Sequence, residues 1–323
     1  MKSSAAARID TKYLDSREIR LVQSLETALG PDILRLKRDP EIVEIYTNAD
    51  GNLWFERLGS GCKDSGIVLS PADRRRVIEL VAGGCCQIVN EETPAISAEL
   101  PGCGSRFQGM LPPVVEEPIF AIRKKAVKIF TLADYVAAGI MTETQKISIE
   151  EAVHDRKNIL IVGGTGTGKT TLANAILALI AEMDNRIIII EDTRELQCSA
   201  LDKLQIRSRD NFSMTQALKS TMRLRPDRIV IGEVRDGAAL DLLKAWNTGH
   251  PGGIATVHAN SAHGGLTRLE QLIQEVVATP QRELIAEAIN LLIYIEREHH
   301  GRRIKEIARM EGCENGKYRL TAI

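Results

Sequence analysis

From residue 16 to residue 29 the apolar side chains Ile19, Val22, Leu25, Ala28 and Leu29 recur at helical spacing, and the run halts at Gly30-Pro31, a pair that ends helices. Extended stretches at residues 41–47 and 53–58 then flank Asn48-Ala49-Asp50-Gly51-Asn52, where Asp-Gly supplies the positive φ angles of a tight hairpin. Ser70-Pro71-Ala72-Asp73 predicts a second helix, with a serine cap, proline at the first helical position and an acid three residues past the cap. Residues 94–128 read as short strands broken by Pro and Gly. Together these predict a smaller α+β domain over residues 1–135 and a linker over 136–148, with Ser148 and Glu151 forming a capping box that starts the next helix.

Beyond the linker the pattern changes. Residues 158–162, 187–190, 228–231 and 254–257 are apolar and strand-like, and they alternate with helical segments at 170–183, 214–222 and 236–247. That alternation predicts an α/β domain over residues 149–323, with a parallel sheet covered by helices on both faces. After Gly264 a helical stretch gives way to strands at 291–298, 304–311 and 317–323, expected to close the sheet; His299-His300-Gly301 falls in a turn between two of them.

The strongest chemical signal is Gly163-Gly164-Thr165-Gly166-Thr167-Gly168-Lys169-Thr170, followed by Thr171. It fits the phosphate-loop pattern of glycine, four residues, then Gly-Lys-Thr, and it stands between an apolar strand and a helix as that motif requires. Its glycines let backbone N–H groups converge on phosphate oxygens at the positive end of a helix. Lys169 is expected to reach the β- and γ-phosphates and the Thr170 hydroxyl to ligate magnesium. No Asn-Lys-x-Asp string occurs, the element with which GTP-specific proteins of this class read guanine, so ATP is the expected nucleotide.

Acids end the following strands. Glu191-Asp192 closes one and Gly232-Glu233 another, and carboxylates at the C-terminal ends of parallel strands project into the crevice that holds the phosphate loop. Glu233 is the expected water-positioning residue. Glycine at 232 stands where an Asp usually precedes that Glu, so magnesium support falls to Glu191 or Asp192. His258 ends the apolar run at 254–257 and is placed to hydrogen-bond a γ-phosphate; a loop histidine bonding a backbone carbonyl is the plainer alternative.

Composition narrows the class. Forty-two Lys and Arg against 43 Asp and Glu give a net charge of −1, and aromatics are only 4%, which argues against a basic, aromatic-interleaved track for nucleic acid. No stretch approaches a membrane span, and the first ten residues lack the apolar stretch of a signal peptide. Six cysteines without paired CxxC spacing make neither a disulfide framework nor a zinc site, and the sequence reads as a soluble cytosolic protein.

The phosphate loop, the acidic box Ile190-Glu191-Asp192-Thr193, the run Leu224-Arg225-Pro226-Asp227-Arg228-Ile229 through Gly232-Glu233, and the histidine box Thr248-Gly249-His250…Thr256-Val257-His258-Ala259-Asn260 stand in the order they take in the secretion ATPases. The chain resembles this family of type II, type IV and type IV pilus motors from about residue 100 to about residue 310. Within it, the chain looks like the conjugation ATPases of the type IV secretion branch. It has no cysteine-rich zinc insert, which type II relatives often carry.

The resemblance implies a RecA-like ATPase domain using ATP and Mg2+ in a ring of six identical subunits. It also implies that Arg106, in Gly104-Ser105-Arg106-Phe107, and Arg123, in Ala121-Ile122-Arg123-Lys124-Lys125, reach the phosphates from the N-terminal domain, so that nucleotide controls closure between domains. A basic patch facing anionic lipid is the other reading of Arg123-Lys124-Lys125. Arg194, Arg223 and Arg225 are further candidates for contact with a neighbouring subunit. The implied partners are inner-membrane components of a type IV secretion or conjugation apparatus, with the protein peripheral on the cytoplasmic face. Two alternatives stay open: a type IV pilus or type II secretion motor, and a nucleotide-gated docking switch with little turnover.

Overall fold

A computed structural model describes residues 16–57, 60–125, 129–209, 211–298 and 301–323. They divide into two compact units, one up to residue 127 and one from residue 128 onward. The histidine pair 299–300 and the first fifteen residues lie outside the described set.

In the first unit α1 (Ser16–Arg38) leads into β1 (Ile42–Thr47), β2 (Asn52–Arg57), β3 (Gly61–Val68), α2 (Pro71–Gly84), β4 (Ala95–Glu99), β5 (Arg106–Met110) and β6 (Ile119–Arg123). The strands pair in the order β3-β2-β1-β6-β5-β4, every neighbour antiparallel. Leu25, Leu29 and Ile33 of α1 and Val77, Ile78 and Val81 of α2 form one core with Ile45, Phe107, Phe120 and Ile122 of the sheet.

Ser70 caps α2 as expected, its side chain accepting from the Asp73 N–H. Gly30, at φ 72°, ends the first helical run as expected, and a second helical run follows to Arg38, with Ile33 buried in the same core as Leu29. One sequence expectation changes. In the first hairpin only Gly51, at φ 89°, takes a positive φ, so the turn is not the Asp-Gly pair of left-handed residues.

The second unit opens with α3 (Leu132–Ala137) and α4 (Glu143–His154), so much of the span expected as a linker is helical. Thr142, not Ser148, caps α4, in a reciprocal box with Gln145; Ser148 lies inside the helix and donates to the Thr144 carbonyl. Two boxes of similar chemistry compete here, and the upstream one prevails because the longer helix buries Ile149, Ala152 and Val153.

Next come β7 (Ile159–Val162), α5 (Lys169–Ile180), β8 (Ile187–Glu191), β9 (Lys203–Arg207), α6 (Met214–Thr221), β10 (Arg228–Ile231), α7 (Ala238–Asn247), β11 (Ile254–Val257), α8 (Ala262–Gln274) and α9 (Arg282–Ala288). The hairpin strands β12 (Leu291–Glu298) and β13 (Gly301–Glu314) and then β14 (Lys317–Ala322) finish the unit. The sheet order is β14-β13-β12-β7-β11-β10-β8-β9. From β12 to β9 neighbours are parallel, and β13 and β14 add antiparallel strands at one edge.

Alternation along the strands divides the apolar side chains between two faces. Leu160, Val162, Ile188, Ile190, Ile229, Ile231, Ala255 and Val257 pack with α6 to α9. Ile159, Ile161, Ile187, Ile189, Val230, Ile254 and Ile293 pack with α3, α4 and α5. The α/β expectation of helices on both faces holds, and the C-terminal ends of β7, β8, β10 and β11 meet at one edge of the sheet.

Candidate functional site

Strand β7, buried along its whole length, delivers the chain into the glycine loop, and α5 begins at Lys169. Gly168 is the turning point at φ 99°, a left-handed conformation that strains any residue with a Cβ. Thr167 Oγ1 donates to the Gly164 carbonyl at 3.0 Å, bracing the loop from within. Thr165 is exposed, Gly164, Gly166, Thr170 and Thr171 are half-buried, and the last two occupy the first turn of α5. The first turn of α5 carries no acid, so the positive end of the helix faces the loop unopposed by its own side chains.

Lys169 is buried, and its ammonium donates to the Gly164 carbonyl at 2.8 Å. It also lies 3.3 Å from both ring nitrogens of His258, just past the end of β11. His258 Nε2 is in turn 3.2 Å from Glu233 Oε1. An ionised carboxylate only accepts and an ammonium only donates, so Nε2 carries the proton toward Glu233 and Nδ1 receives Lys169. Burial and then the Lys169 charge hold the His258 pKa below its ordinary value against the upward pull of Glu233, so the ring is neutral at pH 7. The structure therefore joins Lys169, His258 and Glu233 in one polar chain at the mouth of the loop.

Glu233 has a further partner that sequence reading overlooked. Arg235 Nε lies 2.8 Å from its Oε1 and Nη2 donates to Oε2 at 2.9 Å, while Nη1 reaches Asp192 Oδ2 at 2.5 Å. Burial pushes the Glu233 carboxyl up, but the Arg235 hydrogen bond and charge outweigh it and leave the pKa below the ordinary carboxylate value. The signal lay in Glu233-Val234-Arg235, but only the fold brings Asp192 to the same guanidinium.

Glu191 behaves differently from Asp192 beside it. It is buried, with Oε1 accepting from the N–H groups of Glu195 (3.0 Å) and Leu196 (2.8 Å), and Oε2 has no hydrogen-bond partner. Burial raises its pKa to about 7 against the pull of those two amides. Gly232 lies against it: a Cβ at 232 would stand 2.9 Å from Glu191 Cγ and 3.1 Å from Oε1. The glycine that departs from the usual Asp is thus the space into which Glu191 fits.

Among the described residues no group of three or more His, Cys, Asp and Glu forms a metal cage. The donor set suits magnesium nonetheless, because that ion takes one or two carboxylates and fills its octahedron with phosphate oxygens and water. The unpartnered buried Oε2 of Glu191 is one carboxylate donor of that kind.

The other candidates fall elsewhere. His250 hydrogen-bonds the Pro226 carbonyl through Nδ1 at 2.9 Å and holds the turn after α6. Arg194, Arg223 and Arg225 are exposed. Arg106 and Arg123 belong to the first unit, where they stand directly opposite each other on β5 and β6. Glu44 lies opposite Arg123 on β1 and Glu99 opposite Arg106 on β4.

Residues 96–319 match the family described as "Type II/IV secretion system protein". Among curated relatives, a probable conjugal transfer protein TrbB of Sinorhizobium fredii is 50% identical over 303 residues, covering 93% of each chain. A type IV secretion system protein VirB11 of Bartonella henselae is 32% identical over 290 residues, covering 77% of this chain and 81% of that one. Among solved structures, the ATPase DotB of Legionella pneumophila shares the fold with a TM-score of 0.61 at 18% identity, over 84% of this chain and 77% of that one.

Proposed function

This chain belongs to the type II/IV secretion system protein family, and from that premise we propose that it is a magnesium-dependent ATPase acting as a homo-hexameric motor for type IV secretion in conjugative transfer. The observation that carries the reading is the chain Lys169–His258–Glu233 at the mouth of a complete phosphate loop.

In this reading the loop amides of residues 164–169 and the Lys169 ammonium hold the phosphates, and Thr170, Glu191 and Asp192 support magnesium, which supplies charge neutralisation on the β- and γ-phosphates when bound. Glu233 accepts a hydrogen bond from the attacking water, fixed in place by Arg235 and by the neutral His258. His258 bridges Lys169 to Glu233, so movement of the lysine onto phosphate is felt at the carboxylate. Arg106 and Arg123 supply positive charge to the transition state from the first unit, coupling nucleotide to closure between domains. Inner-membrane components of the secretion apparatus are the proposed partners, with the protein on the cytoplasmic face. Among the described residues no helix is long and apolar enough to cross a membrane.

The test is ATP turnover per subunit against protein concentration, with Glu233→Gln alongside. We expect turnover to rise cooperatively, and the variant to bind ATP while losing about a hundredfold or more of its rate. Binding without turnover in both proteins sinks the motor reading and leaves a nucleotide-gated docking switch.

A further inference from the structure

The acids and histidine of the site all reach the phosphate loop from one side. Glu191, Glu233 and His258 stand at the ends of β8, β10 and β11, which follow β7 in one direction across the sheet. On the other side of β7 lies β12, and the β12–β13 hairpin runs past the loop: a Cβ on Gly163 would stand 2.5 Å from the Ile295 carbonyl oxygen. From this hairpin Arg302 lies over the loop. Its Nη2 is 3.5 Å from the Gly166 carbonyl, the long limit of a hydrogen bond, and a Cβ on Gly168 would stand 2.9 Å from its Cδ and 3.1 Å from its Nε.

The Nε–H of Arg302 is buried and has no hydrogen-bond partner. A buried guanidinium donor left unmade is costly, so each such group in a native structure calls for an explanation. Its side chain is also near Tyr135 of α3, whose hydroxyl burial pushes well above its ordinary pKa while the Arg302 charge pulls it back. Arg302 is thus an always-charged side chain held against the glycine loop from the side that lacks the catalytic acids. In the nucleotide-binding reading proposed above, the Lys169–His258–Glu233 chain faces the γ-phosphate, and that reading sets the opposite flank, where Arg302 lies, toward the nucleoside.

We propose that Arg302 is a further nucleotide-binding residue, donating to the phosphates that ATP and ADP share. The inference rests on the nucleotide-binding reading above and extends the site to the C-terminal hairpin, which no motif in the sequence marks. Because the contact excludes the γ-phosphate, Arg302 sets affinity equally for both nucleotides and carries no preference between them.

The test is equilibrium titration of the full chain with N-methylanthraniloyl-ADP and competition with unlabelled ATP and ADP, all with magnesium. Melting temperature is measured on every variant. Arg302→Gln is expected to weaken ATP and ADP by the same factor, about ten- to a hundredfold, the scale of a charge-assisted hydrogen bond. Arg302→Lys, which keeps stem and charge, recovers part of the loss, and Arg297→Gln, opposite on the same hairpin, leaves both affinities unchanged.

Wild-type affinity in Arg302→Gln overturns the proposal, as does a loss confined to ATP, which would move the arginine to the γ-phosphate. Equal losses in the glutamine and lysine variants that track a lower melting temperature overturn it in favour of a packing role. A wild-type protein that binds neither nucleotide defeats the nucleotide-binding reading itself, an outcome distinct from all of these.

Discussion

A methyl group at position 232 would fall 2.9 Å from Glu191 Cγ, closer than real Cβ contacts come, and Glu191 cannot swing aside without breaking its bonds to the Glu195 and Leu196 amides. Gly232→Ala is therefore expected to lower stability by about 1–3 kcal/mol in denaturant titration and to slow magnesium-dependent turnover in the same protein. Unchanged stability and rate would show that Glu191 is not held where we place it. The same carboxyl titrates near pH 7, above its unfolded value. A raised carboxyl pKa contributes stability below the unfolded value that is lost as pH rises through the folded value. In magnesium-free, nucleotide-free protein, stability should fall between about pH 5 and pH 8, and Glu191→Gln should flatten that fall. A variant with the same pH slope as wild type counts against a buried, protonatable Glu191.

Among the elements, the start of α4 separates local signal from tertiary choice. Thr142-Glu143-Thr144-Gln145 and Ser148-Ile149-Glu150-Glu151 each satisfy the cap pattern, and the structure uses the first. Thr142→Ala should cost about 1 kcal/mol, whereas Ser148→Ala should stay within about 0.5 kcal/mol; equal costs in thermal denaturation would contradict the observed boundary. Legibility followed the same division. Strands β7, β8, β10 and β11 announce themselves because they are apolar on both faces, and the phosphate loop because its chemistry lies in eight consecutive residues. Strand β3, Gly61–Val68, carries two glycines and three polar residues and forms because β2 pairs with it. The Arg235–Asp192 contact and the place of Arg302 over the loop stayed unread because they join residues 43 and 136 positions apart, and no local pattern encodes such meetings.

At the scale of the whole molecule, the chain builds one core in the first unit and a two-faced core in the second, and the charges expected to act together are divided between them. In the first unit, the register sets Glu44, Arg123, Arg106 and Glu99 in a row across four strands. Like charges directly opposite one another destabilise a sheet, and the flanking acids offset that repulsion. Burial pushes the Glu44 carboxyl up while Arg123 pulls it back, so the acid and its neighbouring cation are already coupled. A pair of opposed guanidinium groups is suited to an anion supplied from outside, and the γ-phosphate is the anion the proposed reaction provides. Arg106→Gln and Arg123→Gln should each lower ATP turnover by about a hundredfold or more, within the reach of arginine contributions to phosphoryl transfer. ADP affinity should stay within about threefold of wild type, since ADP lacks the phosphate concerned, and stability should be unchanged or rise by about 0.2–1 kcal/mol as the repulsion is relieved. A variant that loses ADP binding and stability together with turnover would instead make the arginines part of the first unit's own architecture, and coupling between the units would have to run through other residues.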